Sequence, residues 1–422
     1  MKRSLSACGL SLLLAVPLLA CSAGSLLQPA ATPAGTPAAT ATPPVTPAPT
    51  ATPAPESPLL EFLRYVPDEA NYRSYLTYGD AAAWHASWGV PRVYTLEQVM
   101  ALDLTQRGLY MATLPEQTTP PDSLGLYYIS VEDQRAFYGF DFFMFDRYLL
   151  AGRPPGWLTV ADYRGEPAKI GAALMASGYT TVSVPGGTLY SIMKDYAVDF
   201  KFPSAVGRIG DRNRIALLGE RMLMAKATGV VTGALASHAG TVPSLADAPE
   251  YRAAVAALDD PALADTGELV GVILMSPGNF ADMTKGLPPL SATVAQKQLE
   301  EWAQTAPLPD YTLVAFATRH TQGASSLILA VVFPAGTDAP VAAESLAARL
   351  KGYTSLSTRT AIDKWTFDRA ADVEVAGLPV ALVIMRVGDP VPDPQTGSAG
   401  LAFAWEKLVM RRDVLFLATT RP

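Results

Sequence analysis

The stretch "AALMASGYTTVSVPGGTLYSIMK" (172–194) decides how the fold is read, because a later part of the chain repeats its features. There the same features are split between "AARLKGYTSL" (347–356) and "VEVAGLPVALVIMR" (373–386). Both pass from a helix end through Gly-Tyr-Thr, run along a strand beginning Val-x-Val, turn at a glycine and leave on a strand ending Ile-Met-Lys or Ile-Met-Arg. Each then reaches a pair of apolar runs. "RIALLGERMLMAKA" (214–227) is expected to form a hairpin turning at Gly219-Glu220-Arg221. "LAFAWEKLVMRRDVLFLAT" (401–419) is expected to do the same near Arg411-Arg412-Asp413. The alignment sets Ser191 against Val383, Ile192 against Ile384 and Lys194 against Arg386.

These parallels lead to the expectation of an internal duplication. It predicts two similar modules, 59–260 and 261–422, each an antiparallel sheet with helices packed on one face. Strands arrive as hairpins separated by single helices, without the strict strand–helix alternation of a doubly wound sheet, so the fold class is α+β. "EPAKIGAALMASG" (166–178) reads as a helix with Pro167 in its first turn and Gly178 as its stop. Thr95-Leu96-Glu97-Gln98 has the form of a capping box. Ser244 and Ser291 are the expected N-caps of two helices between the modules. "GFDFFMFDRYLLAG" (139–152) reads as a strand with Phe140, Phe142 and Met144 on one face and Asp141, Phe143 and Phe145 on the other.

Working back to the amino terminus, Lys2 and Arg3 precede an apolar run from Leu10 to Ala20. About 20 apolar residues are needed to cross a bilayer, and this run is near half that, so residues 1–20 read as a secretory signal. Leu18-Leu19-Ala20-Cys21 resembles the lipobox of bacterial lipoproteins, with Leu19 larger than the small residue usual there. The resemblance implies that Cys21 carries diacylglycerol and that the signal is cut just before it. Residues 21–58 are then the anchor cysteine and a Pro/Thr/Ala stalk. From 29 to 58 the stalk has no aromatic residue and one charge, Glu56. Its prolines remove donors and fix φ, which prevents helix and sheet and favours an extended chain. The overall plan also resembles uncharacterised exported lipoproteins with a stalk and a repeated α+β domain.

The two cysteines are Cys8, lost with the signal, and Cys21. The folded part therefore has no thiol for a disulfide, a zinc site or a nucleophile. The chain's net charge is −7, and removing Lys2 and Arg3 gives −9. That acidity offers no footprint for nucleic acid. The three histidines, His85, His238 and His320, lie far apart and in no metal-binding motif. No cofactor or metal is expected. Ser191-Ile192-Met193-Lys194 matches the S-x-x-K of penicillin-recognising enzymes. That motif needs a helix to bring serine and lysine together, whereas here it ends a strand, where i and i+3 face apart. Asp389 and Asp393 sit in a proline-rich loop too sparse in oxygen ligands for calcium. Phe137, Tyr138, Phe140, Phe142, Phe143, Phe145 and Tyr148 are read as core, with an apolar pocket as the alternative.

The expected function is that of an extracytoplasmic lipoprotein, held on the outer face of a membrane by its lipid. It would act as a non-enzymatic binding or assembly module for an envelope protein or a small apolar ligand. The alternative is an exported hydrolase with a site assembled from scattered Ser, Asp and His.

Overall fold

The computed structural model describes residues 56–112, 131–198, 212–280, 289–322, 324–351, 353–356, 365–388, 405, 408–409 and 413–419. Cys21, the stalk up to residue 55, and the Asp389/Asp393 loop lie outside them. In chain order the elements begin with α1 (Pro58–Leu63), α2 (Ala70–Ser74), β1 (Leu76–Asp80), α3 (Ala81–Ser87), α4 (Leu96–Ala101), α5 (Leu104–Ala112) and α6 (Val131–Tyr138). Next are β2 (Phe145–Ala151), β3 (Leu158–Tyr163), α7 (Pro167–Ala176), β4 (Thr180–Val184), β5 (Gly187–Ser191), β6 (Arg214–Leu218) and β7 (Arg221–Ala225). Then come α8 (Thr228–His238), α9 (Pro249–Leu258), β8 (Glu268–Met275), α10 (Pro289–Thr305), β9 (Leu313–Thr321), β10 (Ala324–Val332), α11 (Ala339–Lys351), β11 (Thr366–Val375) and β12 (Leu378–Gly388).

The α+β class holds, but the strands form one sheet rather than two. Twelve strands run in the order β11-β12-β10-β9-β8-β1-β2-β3-β7-β6-β5-β4, with antiparallel neighbours throughout. Strand β1 joins the halves by pairing with β2 on one side and β8 on the other. Residues from Pro55 onward form one compact unit, where two modules were expected.

Helices cover both faces of the sheet, not one. Period-two alternation sends Tyr78, Leu149, Val160, Leu223, Val272, Ala315, Ile328 and Leu382 into a single cluster that spans the sheet. Residues of α1, α8 and α9 complete that cluster. The alternate residues face the other way and divide. Ile273, Phe316, Leu329 and Val383 meet α10 and α11, whereas Tyr148, Ala161, Ile215 and Met224 meet α6 and α7. A central antiparallel strand has two faces to bury, and β6, β7 and β10 carry apolar residues on both.

The two halves share the order hairpin–helix–hairpin, as β2-β3-α7-β4-β5 and β9-β10-α11-β11-β12. They differ in the segment after the second hairpin. Residues 214–225 form the expected hairpin and insert between β5 and β3. In its counterpart none of the described residues is a strand: Trp405, Leu408 and Val409 are helical, Leu415–Leu417 is a 3-10 turn, and all pack on the sheet's face, while the expected turn residues Arg411 and Arg412 lie outside the described residues. Strand β12 therefore pairs directly with β10 over nine residue pairs. The expected duplication is not established.

The alignment of the halves is also one residue out of step. Counting from the hairpin turns, Val184 pairs with Gly187 and Val375 with Leu378, so Ile192 corresponds to Val383. A one-residue offset changes face. Ile384 is buried with the sheet-spanning cluster, while Ile192, beyond the end of β5, is partly buried against the opposite one.

Three local expectations change for physical reasons. Residues 142–144 form a 3-10 turn because the Asp141 carboxylate accepts from Phe143 N at 2.9 Å; the strand starts only at Phe145. Ser244 does not cap α9, because its N–H and hydroxyl both donate to Asp247. Ser291 lies inside α10, which starts two residues earlier at Pro289. The Thr95 cap is present, accepting from Gln98 N at 3.1 Å.

One row of charges crosses the first half of the sheet. Asp80 is the cross-strand partner of Arg147, Arg147 of Asp162, and Asp162 of Arg221, on β1, β2, β3 and β7. The signs alternate. Asp162 contacts Arg147 at 2.9 Å and Arg221 at 2.6 Å, and Glu61 of α1 closes the row on Arg221 at 2.8 Å.

Candidate functional site

A groove of about 610 Å³ lies beside α10, within the size range of small-molecule sites. One wall is a stripe of that helix, Ser291, Val294, Gln298 and Glu301, with Lys297 at its edge. These residues recur at helical spacing, so they share a face. The adjoining stripe of α10 is anchored by Ala295 and Trp302, one turn on from Ser291 and Gln298 and both buried in the core. The second wall is Thr354, Ser355 and Leu356, directly after α11.

That second wall is fixed from far along the chain. Asp413 is buried and its carboxylate accepts from Ser355 Oγ at 2.5 Å and from Leu356 N at 2.9 Å. The Tyr353 hydroxyl donates to the same carboxylate. Burial first, and Asp413's charge second, hold Tyr353 protonated far above the usual tyrosine range. Beneath the wall, the Arg349 guanidinium is fully buried and donates to the carbonyls of Ala306, Phe416 and Ala418. Burial pulls Arg349 down to about 10. The wall is thus held by a carboxylate with several donors, and Arg349 ties the segment that follows Asp413 to α11. Into the groove the two walls together present hydroxyls, an amide, one lysine, one glutamate and two aliphatic side chains. Such a lining orients a ligand by hydrogen bonds and shields a small apolar part of it.

The histidines fall in separate environments. His85 is buried in α3 and stacks on Tyr110 at 4.1 Å. Burial first, and the Arg92 charge second, push it down to about 3, so it is neutral. His238 ends α8 and stacks on Tyr65 at 4.0 Å. His320, on β9, is enclosed by Trp84 and Trp88, with Nδ1 2.6 Å from Ser87 Oγ. This is a Ser–His contact, but Ser87's hydroxyl proton is directed to the Trp84 carbonyl at 2.7 Å. The serine oxygen accepts from the histidine in that arrangement, the reverse of nucleophile activation. No group of three or more His, Cys, Asp or Glu able to hold a metal ion occurs among the described residues.

Ser191 ends β5, and Lys194 is exposed in the loop beyond it. That loop is shaped by Asn213 and Arg214, whose side chains donate to the carbonyls of Ile192, Met193, Lys194 and Ala197. The aromatic run is core and divides between two clusters: Tyr138, Phe140, Phe145 and Tyr148 in one, Phe142 and Phe143 in the other. The groove is not among the sites expected from the sequence. The 291–301 stripe has a readable period, but Ser291 has the look of a cap, and Asp413 reaches Ser355 across 58 residues.

No family model and no curated protein matches the chain. Among solved structures it is similar to the treponemal protein TP0453. Crystal form I aligns at a TM-score of 0.33 and 8% identity, covering 84% of this chain and 96% of that one. Crystal form III aligns at 0.32 and 8%, covering 77% and 93%. A likeness of that degree carries no conclusion about function. Among the described residues, no helix is long and apolar enough to cross a membrane.

Proposed function

We propose that the chain is an exported lipoprotein, anchored through Cys21, whose folded part is a non-enzymatic binding module. The groove between α10 and residues 354–356 is its ligand site. The observation that carries this reading is the second wall, in which the buried Asp413 carboxylate fixes Ser355 and Leu356 by hydrogen bonds where they line an open cavity. The ligand is a small molecule whose hydrogen-bonding groups match Ser291, Gln298 and Thr354 and whose short apolar part matches Val294 and Leu356, one aliphatic side chain on each wall. The hydrolase alternative draws its support from the Ser87–His320 contact, and the direction of Ser87's proton weighs against it.

Two experiments test the two parts. Cys21→Ser should release the protein from membranes and abolish labelling by radioactive palmitate; retention of the unlabelled variant removes the anchor. Val294 is half exposed in the groove, and Val294→Trp should fill it without disturbing the core. Native mass spectrometry of the wild type against a small-molecule library should find binders that the variant loses. A binder set unchanged by Val294→Trp moves the site elsewhere.

A further inference from the structure

The two edges of the sheet are built differently. At one edge, β11 exposes Asp368, Asp372 and Glu374, and a bulge interrupts its register between Phe367 and Arg369. Charge and bulges are the usual devices that stop an edge from pairing. At the other edge, β4 reads Thr180-Thr181-Val182-Ser183-Val184: no charge, no proline and no break in its register with β5. Four of its five residues are exposed, and Val182 is 57% exposed.

The ladder fixes which groups are free. Residues 188 and 190 of β5 face β6, in phase with Ile192 N, which donates to Asn213 O at 3.0 Å. Residues 187, 189 and 191 therefore bond to β4, at their partners 184, 182 and 180. The N–H and C=O groups of Thr181 and Ser183 point outward. Spaced two residues apart along a strand, these donors and acceptors match an extended backbone and nothing smaller.

We propose that this edge pairs with the same edge of a second copy, antiparallel about a two-fold axis through Val182. Thr181 and Ser183 then exchange backbone hydrogen bonds with Ser183 and Thr181 of the other copy. Val182 meets its own counterpart in a non-hydrogen-bonded pair, where Cα atoms are about 4.5 Å apart. Self-complementarity decides the occupant. The register brings Thr181 to Ser183 and Val182 to Val182, with Thr180 opposite Val184 and no like charges opposed, whereas β11 paired with itself would gather its carboxylates. Two five-residue strands bury well under the roughly 1,200 Å² of a stable dimer, so the association is reversible and set by concentration.

The chain's two cysteines make the test clean. With Cys8→Ser and Cys21→Ser in the full chain, Val182→Cys is the sole thiol, placed at a separation that suits a disulfide, about 4.4–6.8 Å between Cα atoms. Under mild oxidation it should form covalent dimer roughly tenfold or more faster than a Glu374→Cys control on the other edge, through the raised effective concentration of paired strands. Adding Thr181→Pro, which removes one outward N–H and none of the bonds to β5, should return it to the control rate. In sedimentation, the mean mass of the unmodified chain should rise with concentration, while that of Val182→Lys stays flat. Equal oxidation rates for the two cysteine variants, or a rise in mass that Val182→Lys retains, overturns the proposal. A chain that stays monomeric but takes up an added Val/Thr-rich peptide at β4 also overturns it, in favour of a foreign strand.

Discussion

The two halves of the sheet use the same hairpin–helix–hairpin order to reach opposite edges, yet they treat their next segment differently. After β5 the chain returns as β6 and β7, buried on both faces, and α8 comes at once to cover one of them. After β12 the chain returns along the face, where Trp405 and Val414 to Leu417 are buried beside α11. Inserting strands demands helices for two new faces; laying the segment flat demands only an anchor. Asp413 and Arg349 are that anchor, and the groove wall is its by-product. The difference places the candidate site in one half.

Asp413→Ala breaks the comparison most severely. It leaves the donors of Tyr353, Ser355 and Leu356 without their acceptor, and denaturant unfolding should show a loss of about 3–5 kcal/mol. The next test addresses the misaligned isoleucines. Ile384→Ala empties a fully buried site and should cost about 2–5 kcal/mol. Ile192→Ala, beyond the strand end and partly exposed, should cost less than about 1 kcal/mol. Equal losses would restore the alignment that sets these two side by side.

Acid sensitivity should belong to the first half. His85 stays neutral in the fold down to about 3, while in the unfolded chain it takes a proton near 6.5. Its contribution is complete above pH 6.5 and is lost as the pH falls from there toward 3, at about 1.4 kcal/mol per unit, or roughly 2 kcal/mol by pH 5. Asp80, raised to about 6 by burial, works in the opposite direction, because the folded state binds its proton first. The difference between wild type and His85→Leu, followed by denaturant unfolding from pH 7 to 5, isolates the histidine. A difference independent of pH would mean that His85 takes its proton as readily in the fold as in the unfolded chain.

The smallest effect sharpens the comparison at the two Gly-Tyr-Thr corners. Tyr353's hydroxyl donates to a carboxylate, and Tyr179's to the neutral carbonyl of Arg212 at 2.9 Å. Tyr353→Phe should cost about 1.5–3 kcal/mol and Tyr179→Phe about 0.5–1.5 kcal/mol in unfolding free energy. Matching losses would make the two corners energetically equivalent.

Local signals are legible in the sequence. The Gly178-Tyr179-Thr180 corner, the hairpin at Gly219 and the Thr95 cap depend on neighbours a few residues away, which the sequence displays directly. Partners across the sheet are not legible. Nothing in "MRRDVLFL" says that Asp413 will meet Ser355 in place of a strand, and matching Ile-Met-Lys to Ile-Met-Arg hides a one-residue change of face. The single sheet escapes a sequence reading for the same reason: β1, five residues long within an aromatic helical lead-in, supplies the join. The groove needs both α10 and the far end of the chain, so only one of its walls has a readable pattern.

The row Asp80–Arg147–Asp162–Arg221 has a consequence for how the strands find their places. Alternating apolar residues tell a strand which side is up, but that signal repeats every two residues. A strand that slides by two, about 6.8 Å, keeps every apolar side chain on its proper face. Hydrophobic burial hardly distinguishes that slipped sheet from the correct one. The charges do, because the slide leaves a carboxylate or guanidinium opposite an aliphatic neighbour in a partly buried row. The four residues work like the pins of a lock, admitting β1, β2, β3 and β7 at one alignment and rejecting the neighbouring settings that the apolar pattern alone would accept.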